Sequence, residues 1–129
     1  MFKTILFPID RSRDTQEAVQ TVVELVRLCQ SKLILLSVQN DQIADPDLAA
    51  AIASFLEEAK TAFSAQGIIA ETLLRQGKPA FVICDVADEL QIDLIVMGCR
   101  GTGLTQEGIN ESVSNRVINL SSCPVLVVP

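Results

Sequence analysis

The chain alternates strictly between short apolar runs and longer segments with helical periodicity. The apolar runs are rich in Ile, Leu and Val and show little polar alternation, which is typical of parallel strands buried on both faces. They occupy Thr4–Ile9, Lys32–Val38, Ile68–Leu74, Leu94–Met97 and Val125–Val128. Between them, apolar residues recur every three or four positions, as in helices that lie on a sheet. These segments are Asp14–Cys29, Pro46–Gln66, Pro79–Gln91 and Asn110–Leu120.

Five candidate strands alternating with four candidate helices predict an α/β fold. In such a fold an open parallel sheet carries helices on both faces, as in Rossmann-like proteins. The length of 129 residues is close to the usual size of one domain, so we expect a single domain over residues 1–129.

The net charge of −6 excludes the basic surface that binding to nucleic acid or to an anionic membrane requires. No apolar run approaches the length of about 18 residues that a membrane span needs. The first ten residues, MFKTILFPID, are interrupted by Pro8 and Asp10, and no small-residue cleavage site follows them. A cytoplasmic location is therefore expected.

Missing residue types narrow the chemistry further. The chain has no His, Tyr or Trp, so it has no Ser-His or Cys-His nucleophile pair and no imidazole metal site. Its four cysteines, Cys29, Cys84, Cys99 and Cys123, are too widely spaced for a zinc or redox CxxC motif. We interpret them as reduced thiols. The alternative is a redox-responsive Cys99, because Arg100 and a following helix start can lower the pKa of a thiol.

Ligands of open α/β sheets bind outside the carboxyl ends of the strands, where the strand order reverses. The candidate loops are the one with Asp10 after strand 1 and the one that begins at Gly98 after strand 4. The second loop lies in GCRGTGLTQEGINES, residues 98–112, which holds four of the six glycines. A glycine-rich loop before a helix offers free N–H groups and a positive dipole end to phosphate. Without a Gly-Lys-Ser/Thr sequence or a dinucleotide fingerprint, a structural turn and a phosphate-binding loop both fit.

A series of short motifs resembles the universal stress protein family over essentially the whole chain. In order, they are FPID at 7–10, SV at 37–38, GKP at 77–79, DLIVMG at 93–98, RG at 100–101, SVS at 112–114 and CPVLVVP at 123–129. The closing segment is similar to that of cyanobacterial and other bacterial members. The resemblance implies the strand order 3-2-1-4-5, which places the reversal between strands 1 and 4.

The resemblance also implies a nucleotide site. In the ATP-binding branch of the family, an Asp after strand 1 and a Val of strand 2 contact the adenosine part. The motif Gly-x2-Gly-x9-Gly-Ser/Thr surrounds the phosphates. Carried over to this chain, the adenosine end would be lined by Pro8, Ile9, Asp10 and Val38. The ribose and phosphates would face Met97, Gly98, Arg100, Gly101, Ser112, Val113 and Ser114.

One position departs from the family motif: where the third glycine is expected, this chain has Glu111. A carboxylate about 4 Å from a phosphate charge costs about 4 kcal/mol at an effective dielectric constant near 20. The expected ligand is therefore AMP or ADP rather than ATP. Mg²⁺ bridging carboxylate and phosphate, or the positive charge of Arg11, Arg13 or Arg100, would reduce the repulsion.

The expected function is that of a stress-response protein that binds an adenine nucleotide and acts as a dimeric sensor or adaptor. An apolar edge strand, Val125–Val128, is a liability unless it pairs, so we expect a homodimer joined through it. The alternative is an interaction protein whose nucleotide site is vestigial, and Glu111 is its main support. An ATP hydrolase is disfavoured, because no general base and no phosphate-binding Lys in the glycine loop are apparent. A flavin carrier would lack its aromatic stacking partners Tyr and Trp.

Overall fold

The structure, a computed structural model, describes residues 2–10, 13–39, 46–98 and 107–129. Strands and helices alternate along the chain as the sequence predicts. The elements are β1 (Thr4–Pro8), α1 (Arg13–Cys29), β2 (Lys32–Gln39), α2 (Pro46–Ser64), β3 (Ala70–Gln76), α3 (Pro79–Glu89), β4 (Leu94–Gly98), α4 (Glu107–Leu120) and β5 (Val125–Val128). Within the part of the chain described, no helix is long and apolar enough to cross a membrane.

The five strands form one parallel sheet in the order β3-β2-β1-β4-β5. This order confirms the prediction and places β1 at the centre of the sheet. The central strands are buried on both faces, so residues 33–37 of β2 are all buried in succession. Such continuous burial explains why the sequence shows apolar runs rather than alternation.

Helices cover both faces of the sheet, which also confirms the prediction. On the first face, α1 and α2 pack against side chains such as Phe7, and the ring of Phe63 meets that of Phe7 edge to face at 6.4 Å between centroids. On the second face, α3 and α4 contribute Ile83 and Val117 to a separate core cluster that includes Leu6. The two layers of helices bury most residues of the central strands β1, β2 and β4 on both faces.

The first three helices end in the same left-handed turn, which directs the chain back into the next strand. The residues with positive φ are Gln30 at 53°, Gly67 at 81° and Gln91 at 54°. After each of them, the next amide bonds to the carbonyl five residues earlier: Ser31 to Val26, Ile68 to Phe63, and Ile92 to Ala87. This is the Schellman pattern, for which glycine is the preferred residue.

Several element boundaries differ from the sequence prediction by one to three residues, and the turn after α2 explains two of these differences. The second helix ends at Ser64 rather than at Gln66, and β3 begins at Ala70 rather than at Ile68. Ile68 is buried because it closes the turn after α2, and its apolar character resembles that of a strand residue. The fourth helix begins at Glu107, three residues before the predicted Asn110.

Candidate functional site

The strand order reverses at β1, which lies between β2 and β4, so the candidate site lies at the carboxyl ends of these strands. The β1–β4 register pairs Ile5 with Leu94 and Leu6 with Ile95 and then stops. By contrast, all five residues of β1 pair with β2. On its other side, β4 stays paired with β5 up to Gly98. The structure describes all residues of β1 and β4, and these two strands are paired only near their amino ends. Their backbones are therefore unpaired with each other at the carboxyl edge.

The segment that leaves β1 is fixed by β2. Ile9, which is buried, donates its amide hydrogen to the Leu36 carbonyl at 2.7 Å. The carbonyl of Ile9 accepts a hydrogen bond from the hydroxyl of Ser37 at 2.9 Å. Pro8, the last strand residue, is half-buried, and Asp10 is exposed. Asp10 therefore follows a residue whose amide and carbonyl are both bonded to β2.

The ends of β2 and β3 are joined in a similar way. Gly77 donates its amide hydrogen to the Gln39 carbonyl at 2.9 Å. Gly77 has a φ of +146°, and a Cβ atom there would lie 2.7 Å from the Cγ2 atom of Val82 in α3. Lys78, which is exposed, occupies the position before α3. This turn therefore needs glycine to bring α3 close against the end of the sheet.

Three of the predicted site residues belong to the core on the second face. Met97 is buried in its core cluster, and Val38 and Val113 pack against the same cluster. They come from β4, β2 and α4, respectively. Ser114, next to Val113, is also buried. Three separate elements thus contribute predicted site residues to one core cluster.

Some predicted residues lie outside the described residues, namely Arg11, Arg100, Gly101 and Cys99. Glu111 and Ser112 lie in α4, but their side chains are among those that the structure does not describe. Because α4 begins at Glu107, Ser112 lies in the second turn of this helix.

Sequence reasoning missed the contributions of Ser37, Gln39 and Gly77 to this edge. The signal for Ser37 was a single hydroxyl in the apolar strand β2, because a buried polar side chain needs a hydrogen-bond partner. Its partner lies 28 positions away along the chain, and only the fold reveals it.

The described cysteines fit the prediction of reduced thiols. Cys29, Cys84 and Cys123 are free. Burial raises the pKa of the Cys84 thiol, and the carboxylates of Asp88 and Asp85 and the neighbouring Cys123 raise it further. The described residues contain no group of three acidic or thiol side chains that could hold a metal ion.

Comparisons with known proteins agree with this architecture. The sequence model of the universal stress protein family matches residues 1–129. A universal stress protein of Synechocystis sp. is 57% identical, and the match covers 100% of this chain and 87% of that protein.

Two solved structures extend the comparison. A universal stress protein in complex with cAMP has a TM-score of 0.78 at 27% identity, and the match covers 98% of this chain and 96% of that one. The universal stress protein of Archaeoglobus fulgidus in complex with dAMP has a TM-score of 0.82. At 20% identity, covering 99% of this chain and 98% of that one, this second likeness shows the shared fold.

Proposed function

The chain belongs to the universal stress protein family, and we propose that it binds an adenine nucleotide at the carboxyl edge of its sheet. The observation that carries the proposal is the opening between β1 and β4, where pairing stops after Leu6 and Ile95. A ligand of an open α/β sheet enters at this kind of opening. The solved relative with cAMP, similar over nearly the whole chain, supports an adenine nucleotide as the ligand class.

The adenosine part of the nucleotide would lie against the β1 and β2 ends. In this proposal Pro8, Ile9 and Val38 line the adenosine end, and the exposed carboxylate of Asp10 accepts hydrogen bonds from ribose hydroxyls. The remaining predicted residues face the ribose and phosphates. They are Met97, Gly98, Arg100, Gly101, Ser112, Val113 and Ser114.

We further propose that the site prefers AMP or ADP to ATP. Glu111 stands where the family motif has a glycine, and each added phosphate would bring more negative charge near its carboxylate. Mg²⁺ bound with the nucleotide would reduce this repulsion, so its presence should matter most for the longer nucleotides.

The change between the nucleotide-free and the nucleotide-bound protein would be transmitted through the contacts of a homodimer. β5 is an edge strand that pairs with β4 on one side only within the described sheet. Its residues Val125, Val127 and Val128 are half-buried, and Leu126 is 37% exposed. Pairing with a second copy would cover this apolar edge. Because β5 also pairs with β4 up to Gly98, the dimer contact would adjoin the nucleotide loop.

Titration calorimetry with AMP, ADP and Mg-ATP tests the proposal on the wild-type protein and two variants. Glu111→Gln removes the charge and keeps the bulk, whereas Glu111→Gly also restores the family motif. We expect the wild type to bind AMP most tightly and both variants to gain affinity for ATP, by about tenfold or more if a repulsion above about 1.4 kcal/mol is relieved.

Two other outcomes would be informative. Binding by the variants alone would mean that Glu111 has closed the site, and the protein would then act as an interaction protein with a vestigial pocket. An absence of heat with all three nucleotides in all three proteins would overturn the nucleotide proposal.

A further inference from the structure

We infer that Ser37, which none of the nucleotide contacts proposed above includes, is the positioning residue for Asp10. The inference rests on the proposed function and adds to it a residue that acts at a distance from the nucleotide. Its basis is the bond between the Ser37 hydroxyl and the Ile9 carbonyl, described above at 2.9 Å.

The location of this bond gives it a specific role. β1 ends at Pro8, which pairs with Leu36, so the regular pairing of the central strand stops there. Ile9 extends the contact by one residue, through its amide to Leu36 and through its carbonyl to Ser37. The next residue is Asp10. The hydroxyl of Ser37 therefore holds the last peptide group before the proposed ribose contact.

Burial makes the bond hard to replace. Ser37 is 5% exposed and Ile9 is also 5% exposed, so water has little access to either group. A buried carbonyl without a hydrogen-bond donor has an unfavourable free energy. Without the Ser37 hydroxyl, the backbone therefore shifts until the Ile9 carbonyl meets another donor. The shift would be passed directly to Asp10, because a peptide unit is planar and rigid.

The opposite edge of the same two strands offers a matched control. Ser31, just before β2, donates its hydroxyl to the carbonyl of Phe2, just before β1. Ser31 and Ser37 thus make the same kind of bond, from the β2 segment to a backbone carbonyl of the β1 segment. Only the bond made by Ser37 lies next to the proposed site.

The first measurement uses the free protein and needs no nucleotide. In Ser37→Ala, the amide hydrogens of Ile9 and Asp10 should exchange with solvent about tenfold faster by NMR, while those of the amino edge keep their wild-type rates. In Ser31→Ala, the rates at Ile9 and Asp10 should stay unchanged. Ser37→Thr keeps the hydroxyl in a residue type that suits strands and should retain wild-type rates. Unchanged exchange in Ser37→Ala would overturn the inference, whatever the nucleotide result.

The second measurement is a double-mutant cycle with AMP. Ser37→Ala should weaken AMP binding by about threefold to tenfold, which corresponds to about 0.6–1.4 kcal/mol. In an Asp10→Ala background, which removes both carboxylate oxygens, the same substitution should change affinity by less than about twofold, because its effect passes through Asp10. Ser31→Ala should leave AMP affinity unchanged.

The outcomes separate the two proposals. If the wild type binds AMP and Ser37→Ala binds equally well, the positioning role is wrong and the nucleotide site stands. An equal loss in both backgrounds would show that Ser37 acts on general stability rather than through Asp10. If the wild type does not bind AMP while exchange at Ile9 still rises in Ser37→Ala, the proposed function fails and only the bond's local effect remains.

Discussion

At the amino edge of the sheet, Thr4 and Asp93 exchange two hydrogen bonds, whereas at the carboxyl edge β1 and β4 have already separated. The Thr4 amide donates to Oδ2 of Asp93 at 2.9 Å, and the Asp93 amide donates to the Thr4 carbonyl at 2.9 Å. Beyond Leu6 and Ile95 the same two strands have no further paired residues. The two strands are thus joined at the edge away from the proposed nucleotide and apart at the edge where it would bind.

In the proposed function, the register of β1 and β4 is set at one end of these strands and the nucleotide binds at the other. The bonds at the amino edge align β1 and β4, so the carboxyl ends do not need mutual pairing to stay in place. If that is correct, substitutions at the amino edge should change stability and leave AMP affinity alone. The following predictions test this separation.

The largest effect is expected for Gly77→Ala at the carboxyl edge. The new Cβ atom would approach Val82 Cγ2 to 2.7 Å at a φ of +146°. Backbone strain and overpacking together should lower the free energy of unfolding by about 3 kcal/mol, measured by urea denaturation.

Gly67→Ala is the matched control at the amino edge, because its φ is +81° but nothing lies within 4 Å of the new Cβ atom. Only the backbone strain of about 1–2 kcal/mol should remain there. Adding Val82→Ala to Gly77→Ala should recover part of the loss. Equal losses at the two glycines would contradict the close approach of α3.

An intermediate effect is expected for Asp93→Ala at the amino edge. It removes the acceptor of the Thr4 amide, and one hydrogen bond to a charged group is worth about 1.5–3 kcal/mol of unfolding free energy. Asp93→Asn keeps a side-chain oxygen and should lose less. AMP affinity by calorimetry should stay within about twofold of wild type in both. A larger loss of affinity would show that the two edges are coupled.

The smallest effect is a gain in stability from Gln91→Gly. Gln91 holds a φ of 54°, which costs a residue with a side chain about 1–2 kcal/mol, while glycine adds about 0.4–1 kcal/mol of unfolded-state entropy. The net result should be a gain of about 0.5–1 kcal/mol, visible as a higher melting temperature. Gln20→Gly, at an exposed position inside α1, should lower stability by about 1 kcal/mol instead. A loss at Gln91 would mean that its side chain contributes to the turn.

The order and type of the elements were predictable because each strand and helix has its own periodicity. The apolar pattern could not show that Ile68 closes a turn instead of opening β3, since both roles bury an apolar side chain. Nor could it show how far β1 pairs with β4, because register depends on bonds such as that between Thr4 and Asp93.

The reversal of the strand order between β1 and β4 was predictable, and the candidate site follows from it. Met97, Val38 and Val113 belong to the core on one face of the sheet because they follow the strand and helix pattern. The bond from Ser37 to Ile9 joins residues that are neighbours only after β1 and β2 have paired, so the motifs that contain them do not indicate the bond.

The bonds between Thr4 and Asp93 also imply that β1 pairs with β4 late during synthesis of the chain. The two residues are 89 positions apart, although β1 is the central strand of the sheet. At a synthesis rate of about 5–20 residues per second, β1 waits about 4–18 seconds for its second neighbour to leave the ribosome. During that interval one side of an apolar strand is open to other nascent chains. Early protection by chaperones would therefore matter most before residue 93 has emerged.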